Sequence, residues 1–493
     1  MILREKNMFN PASSYPAMLR ASVLAVALMA SGAFAQPTAS INWGDGFAGP
    51  IQSSNTPAQS AIDSSGNLIT TSSSQDSQNA YIAVRKANLW DGQIWQTSIS
   101  APVGALAKAL AVAPSGNIFV GVIYPDSLSN FQTAVYELDG NGNSVASQTY
   151  TSSFAGGVNL LGLFADGSSN LHAALAFSYA DNLTYLDVKT VNGSFQQTGE
   201  FTDLNIQPLA AVFQTDGTLF VTGSQAASSP TGGTRAEAFD PSGNGQWFMN
   251  FNNGSDATGH WSFSPTLAAS TMTGESVLGL QKTFSPTAGG TQQSFVTEYL
   301  NAEGSVVWST PSRTGQLTSI AVDSPGQVYV SFSALSNITR YYLQGIAGGA
   351  ATFTVGVAGP FDLGVDGLGS AFLGVNDPRY PGRILLERIG SSGSLSYSQS
   401  LWANMPGGGT ALVNNILGMN KAGAGTLLLM GQTAGSPADA YVGEVTENPS
   451  LVKVAAPYII DSKSFSSTVT LDGPAPAGGY TVNLTSSNLV LNQ

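Results

Sequence analysis

Short apolar runs alternate along this chain with turns rich in Asp, Gly and Asn, and the alternation repeats. The first copy is Ala61-Ile-Asp63-Ser-Ser-Gly66-Asn-Leu-Ile. Similar stretches surround Gly116, Asp166 with Gly167, Asp216 with Gly217, Gly274, Asp323 with Gly326, Asp366 with Gly369, and Gly423. Successive glycines are 50, 51, 50, 57, 52, 43 and 54 residues apart. In each copy Asp accepts hydrogen bonds from the turn backbone and Gly takes the positive φ that other residues resist, so each copy predicts a β-hairpin. Flanking runs such as Ile118-Phe-Val-Gly-Val are apolar throughout, as strands buried on both faces are.

A second hairpin follows the first. Ala80 to Arg85 leads through Asp91-Gly92 to Ile94-Trp95, and Ala134 to Leu138 turns at Asp139-Gly140-Asn-Gly142. Glu237 to Asp240 turns at Ser242-Gly243, Phe295 to Tyr299 at Glu303-Gly304, and Ile384 to Glu387 at Ser392-Gly393. Tyr441 to Glu444 precedes Leu451-Val-Lys-Val. With residues 183–201 and 338–355 there are eight such units. Four short strands in about fifty residues is the period of a β-propeller blade. The predicted fold class is all-β, a propeller of about eight four-stranded blades, with an open solenoid of hairpins as the competing architecture. Ser40-Ile-Asn-Trp43 has the texture of a blade's last strand and is expected to pair into the final blade, closing the ring.

The half-motifs D-x-x-G-N-apolar, in Asp63 to Ile69, and G-x-x-x-W, in Gly304 to Trp308, resemble the blade repeat of secreted bacterial β-propeller proteins. The resemblance spans residues 41–456. It implies the fold and no single activity, because such propellers serve many purposes. The Gly274 and Gly423 copies depart from the Asp-turn pattern.

Ahead of the repeat, residues 1–35 read as an export signal. Arg4, Lys6 and Arg20 precede the apolar run Ala21 to Ala30, and Ala33-Phe34-Ala35 has the small-x-small form of a cleavage site. Translation from Met18 gives a more compact version; a buried N-terminal helix is the alternative. The run is too short to span a bilayer, and no transmembrane helix is expected in the mature chain. The domains are therefore 1–35 signal peptide, 36–456 propeller and 457–493 a β segment. In that last segment two alternating strands flank Gly473-Pro-Ala-Pro-Ala-Gly-Gly479. It resembles the opening of a bacterial immunoglobulin-like module, incomplete because such a sandwich needs about 100 residues.

Composition narrows the chemistry. The 493 residues include 17 basic and 30 acidic side chains, 2 His and no Cys. Removing residues 1–35 takes three bases and one acid and leaves a net charge of -15. That balance argues against nucleic acid, which calls for clustered Lys and Arg. Without Cys there are no disulfides, thiol nucleophiles or thiolate metal sites. Two His assemble no Ser-His-Asp triad with assurance, and no quinone-dehydrogenase motif is present. No cofactor or metal is expected. Asp139-Gly-Asn141-Gly-Asn143 echoes a calcium loop, with oxygens at alternate positions. It lacks Gly at the sixth position and an acid at the twelfth, and it falls where a hairpin turn is expected.

The recurrent Asp63, Asp166, Asp216, Asp323 and Asp366 read as turn formers, since catalysis does not call for one acid per blade. Glu137, Glu237, Glu298, Glu387 and Glu444 occupy third strands, with Arg85 in the first blade, and read as exposed edge positions. His172 lies in a strand and reads as structural. In a propeller, connections between second and third strands and between blades share one face. The longer connections fall there: 124–131, 223–235, 252–264, 281–292, 375–383 and 403–410. His260, Trp261, Phe263, Arg379, Tyr380 and Tyr124 are the candidate ligand-binding residues on that face, since loops on a rigid scaffold carry binding. The expected function is an exported, non-catalytic binding protein, cell-surface, secreted or periplasmic, for a polysaccharide or protein. The alternative is an extracellular polysaccharide hydrolase or lyase with carboxylates at the central funnel.

Overall fold

A computed structural model of the chain describes residues 39–47, 56–88, 92–128, 130–151, 157–177, 182–191, 193–203, 206–214, 216–225, 232–270, 275–323, 327–334, 339–377, 379–380, 382–404, 410–423, 426–434, 440–447, 451–455 and 468–471. The export signal lies outside them, as does most of the C-terminal segment. The chain divides into two compact units, residues 41–446 and residues 1–40 with 447–493.

The first unit is an eight-bladed β-propeller. Successive antiparallel sheets occupy residues 56–101, 106–150, 158–203, 206–252, 254–314, 316–357 and 361–400, followed by a last sheet built on residues 410–447. In each blade the first strand is innermost. Thr56–Ile62, Leu106–Val112, Val158–Ala165, Ile206–Phe213, Gly259–Ser270, Gln316–Val322, Phe361–Val365 and Thr410–Gly423 each touch the next, and the last touches the first. That contact around the ring excludes the open solenoid. The last sheet closes on itself and takes in Ala39–Phe47, with Asp45 opposite Asn404 in Trp402–Asn404. The expected closure by the N-terminal strand is thus observed.

The second unit contains one described pair, Leu451–Ala455 with Thr468–Leu471. Leu451 to Val454, read from sequence as the eighth blade's outer strand, pairs here instead. The last sheet has already closed on Ala39–Phe47, so it has no edge left to offer.

One five-residue turn recurs at eight of the described hairpins. The amide of its first residue bonds the carbonyl of the fifth, and the amide of the fourth bonds back to the first: Asp63 to Asn67, Ala113 to Asn117, Asp139 to Asn143, Asp166 to Asn170, Gln214 to Thr218, Asp240 to Asn244, Asn301 to Ser305 and Gly390 to Ser394. Where the first residue is Asp, its Oδ1 accepts the third and fifth amides, as Asp63 does from Ser65 at 2.9 Å and Asn67 at 2.8 Å. The fourth residue takes positive φ, +80° at Gly66. The register corrects two details of the sequence reading. In blade 3 Ser169, at φ 64°, holds the fourth place rather than Gly167. In blade 4 the first place belongs to Gln214, and Asp216 sits inside the turn. At Asp139 both oxygens serve the turn, accepting from Asn141, Asn143 and the Asn143 amide at 2.9 Å.

Between blades, apolar side chains pack face to face. Phe119 and Val135 of blade 2 meet Leu160 and Leu163 of blade 3, and Phe220 and Ala236 of blade 4 meet Leu278 and Leu280 of blade 5. Each fully buried large side chain contributes about 1.5–3 kcal/mol.

The third-strand acids are not exposed edges, contrary to expectation. Glu137 is 1% exposed and accepts 2.6 Å from Asn117 Nδ2, while Glu237 is 4% exposed and pairs with Arg235. Arg85 is buried too. Glu137 is met from the neighbouring turn and Glu237 from two residues along its own strand, and such partners make burial tolerable. Blade 1 shows the pattern most clearly. Lys86 Nζ lies 2.9 Å from the buried Asp63. Burial opposes the Asp63 charge, but Asn67 and Lys86 outweigh it and hold the carboxyl below its usual range. Replacing Lys86 by Met strands that carboxylate and is expected to cost about 3 kcal/mol in denaturant unfolding. The double variant D63N/K86M should recover most of the loss; equal costs for the single and double variants would refute the coupling.

Candidate functional site

Blade 5 departs from its neighbours. Residues 252–264 and 281–292, read from sequence as loops, are largely strand. Gly259–Ser270 runs against Ser276–Pro286, which runs against Gln292–Leu300, and Gly254–Asp256 adds a short edge. Gly, Pro and Thr in both segments mask the alternation, but cross-strand pairing overrides local propensity. The result is a ledge at the end of the blade where second and third strands connect.

Strand periodicity sorts its side chains. Trp261 is opposite Phe284, Phe263 opposite Lys282, Phe284 opposite Gln292, and Lys282 opposite Ser294. These six share one face. His260, opposite Ser285, belongs to the other face and is exposed. The Lys282 ammonium lies 5.6 Å from the Trp261 ring centroid and 5.8 Å from that of Phe263, within cation–π range. The indole lies so close over Gly254 that a Cβ there would sit 2.4 Å from it. Phe263 packs on Phe251 of blade 4, and its backbone is fixed by Thr234 Oγ1 at 2.9 Å and by Asn253 Oδ1 at 2.9 Å. On the opposite face Gln281 ties the ledge to blade 6, donating to Gly315 O at 3.0 Å and accepting from Leu317 N at 3.0 Å.

Beside Lys282 and Phe284 opens a depression of about 660 Å³, lined also by Thr291, Gln292, Gln293, Ser294, Thr314 and Gly315. Its lining combines one cation, one aromatic ring, two amides and three hydroxyls. Asp256, at the hairpin tip, is held charged by the Thr258 hydroxyl and amide and feels Lys282.

The remaining candidates lie on other blades. Tyr124 is half-buried in Ile118–Pro125 of blade 2, packed on the core shared with blade 1. Arg379 and Tyr380 lie in the connection between the second and third strands of blade 7. Asp377 Oδ1 accepts from Arg379 N at 2.9 Å, and this amide bond holds its carboxyl below the usual range. Arg379 and Tyr380 are both exposed, and the Arg383 guanidinium lies 5.2 Å from the Tyr380 ring centroid. The structure therefore brings Trp261 and Phe263 together, turns His260 away, and leaves Tyr124, Arg379 and Tyr380 in their own blades. Lys282, Phe284 and Arg383 were missed. The spacing Trp261-x-Phe263 against Lys282-x-Phe284 is the signal that finds the first two, once both segments are taken as strands.

The first strands that ring the axis carry a single carboxylate among the described residues, Asp362, which burial pushes up to about 6. Among the described residues no three His, Asp or Glu gather in a metal-binding group, and no helix is long and apolar enough to cross a membrane. His172 is buried beside Asp166 Oδ2 at 3.6 Å.

No protein-family model matches the chain. No curated protein matches it in sequence. Solved structures do resemble it. The Dos1 propeller is 10% identical, covering 83% of this chain and 95% of that one, with a TM-score of 0.50. The polysaccharide lyase Uly1 is 11% identical, covering 71% and 91%, with a TM-score of 0.42. The β-propeller domain of the Trilobed protease from Pyrococcus furiosus is 9% identical, covering 70% and 97%, with a TM-score of 0.35. At these identities the likeness is one of fold, and the chain is an eight-bladed β-propeller.

Proposed function

We propose that this propeller is an exported, non-catalytic binding protein for a polysaccharide or protein, and that the blade 5 ledge is its working surface. The carrying observation is the shared face of Trp261, Phe263, Lys282 and Phe284 beside the depression of about 660 Å³. Aromatic faces and fixed amides on a rigid scaffold bind without any reacting group. Export rests on the apolar run Ala21 to Ala30 and the Ala33-Phe34-Ala35 site. The hydrolase reading calls for two carboxylates facing a cleft, whereas the described inner strands supply only Asp362.

A screen of the full chain against glycans and envelope proteins tests the proposal. Saturable binding without turnover, weakened at least tenfold in Trp261→Ala, is the expected result. Release of reducing ends, abolished in Asp362→Asn, overturns it.

A further inference from the structure

The ledge also has a charge, and that charge selects among ligands. Lys282 and Arg313 are the cations of this part of blade 5, with Asp256 as the nearby acid. Arg313 pairs across to Phe295 and sits 5.8 Å over the Phe332 ring, on the opposite face of the sheet from Lys282, so Lys282 is the cation of the depression itself. Lys282 is held over two rings rather than neutralised by a bidentate carboxylate, so its charge is available to a ligand entering the depression. The Asp-headed turns at Asp63, Asp139, Asp166, Asp240 and Asp366 lie at the other end of the blades, because first-to-second and third-to-fourth hairpins share that end. A polyanion approaching the ledge therefore avoids these five turn carboxylates; Asp76, Asp126 and Asp377 share the ledge's end but belong to blades 1, 2 and 7.

Resting on the binding reading above, we infer that the ledge takes a polyanionic glycan, one whose sugars carry carboxylate or sulfate groups. Trp261 and Phe284, opposite each other on adjacent strands, offer ring faces to sugar C–H surfaces. Gln292, Gln293, Ser294, Thr291 and Thr314 offer donors and acceptors to hydroxyls. Lys282 meets the anionic group. An acidic peptide fits less well. Peptides commonly add to an open sheet edge, and the edge of this ledge, Gly254–Asp256, is three residues long and faces outward from Trp261's partner strand.

Affinity electrophoresis of the full chain through gels holding polygalacturonate, dextran sulfate or neutral dextran tests this. Retardation in at least one polyanion gel and none in dextran is expected, declining as salt rises. Lys282→Gln should weaken it at least tenfold, Lys282→Arg should retain it, and Glu303→Gln, in a turn at the far end of the same blade, should leave it unchanged. A thermal melt of each variant confirms folding. Equal retardation in dextran, unaffected by Lys282→Gln, overturns the anionic ligand while leaving the binding reading intact. No retardation in any gel, or binding to poly-glutamate alone, also overturns it. Depolymerisation of the gel polysaccharide overturns the binding reading itself.

Discussion

Raising the pH from 4.5 to 7.5 is expected to lower the free energy of unfolding by about 5 kcal/mol, the reverse of the usual acid sensitivity. Two buried acids drive it. Burial pushes Glu237 from 4.5 up to about 7, with Asp203 beside it adding to the rise and Arg235 opposing it. Burial alone pushes Asp362 from 3.8 to about 6. An acid whose folded value is raised binds its proton more tightly in the folded state. Its stabilising effect is complete below the unfolded value and is lost as pH climbs through the folded one. At about 1.4 kcal/mol for each pH unit of displacement, each contributes about 3 kcal/mol. Glu298 and Glu387, also raised by burial, act in the same direction. Asp63, Asp139, Asp166 and Asp240, held low by the amides that meet them, matter only below about pH 4, whereas burial raises Asp366. Guanidinium melts at pH 4.5, 6 and 7.5 measure the slope. Glu237→Gln should recover about 3 kcal/mol at pH 7.5 and flatten the profile. A stability that is flat or rises across this range contradicts the assignment.

Gly223→Val is expected to cost at least about 3 kcal/mol and to lower the melting temperature by 5 °C or more on the order of magnitude for a domain this size. The cause lies in a bulge. Pairing of the first and second strands of blade 4 slips between Pro208 and Ala210, and this presses the Gln207 carbonyl over Gly223. A Cβ there would stand 2.1 Å from that oxygen and 2.8 Å from Pro208 Cα. Backbone cannot rotate aside as a side chain can. Gly289→Ala provides the contrast. Its φ is +90° but nothing lies within 4 Å of the added carbon, so about 1 kcal/mol is expected. Equal losses at the two sites would show that crowding at Gly223 is relieved by the strand.

Much of this fold is legible in the sequence because its determinants are local. A turn such as Asp63-Ser-Ser-Gly66-Asn67 is closed by bonds within five residues, so its motif can be read directly. The repeat of that motif at about fifty residues then sets the blade count. What the sequence hides is set by partners far along the chain. Glu137 is buried where Asn117 of the preceding turn meets it, and Glu237 where Asp203 of the preceding blade lies beside it. Ser169 takes the place expected of a glycine because the strands on either side fix the register. The ledge was read as loop for the same reason. Gly259, Pro265 and Pro286 argue against strands locally, and only the pairing with Gln292–Leu300 shows otherwise. Among the candidate residues, Trp261 and Phe263 fall on one face of their strand, but that His260 falls on the other depended on pairing.

Seven of the blades are assembled from neighbouring residues, but the eighth joins Asp45 to Asn404. Bringing together ends so far apart costs about 2 kcal/mol more in chain entropy than closing a hairpin-sized segment. By its sequence separation the clasp is expected to form last, after the sheets built from neighbouring residues. Until it shuts, the last blade presents an unpaired edge, and the growing ring is open to association with its like. Once shut, it works in the protein's favour. No blade can peel away from a free end, so escape from the native state demands that the seam or a whole blade give way at once. For a chain without a single disulfide, persistence of the fold is then a matter of rate as much as of equilibrium.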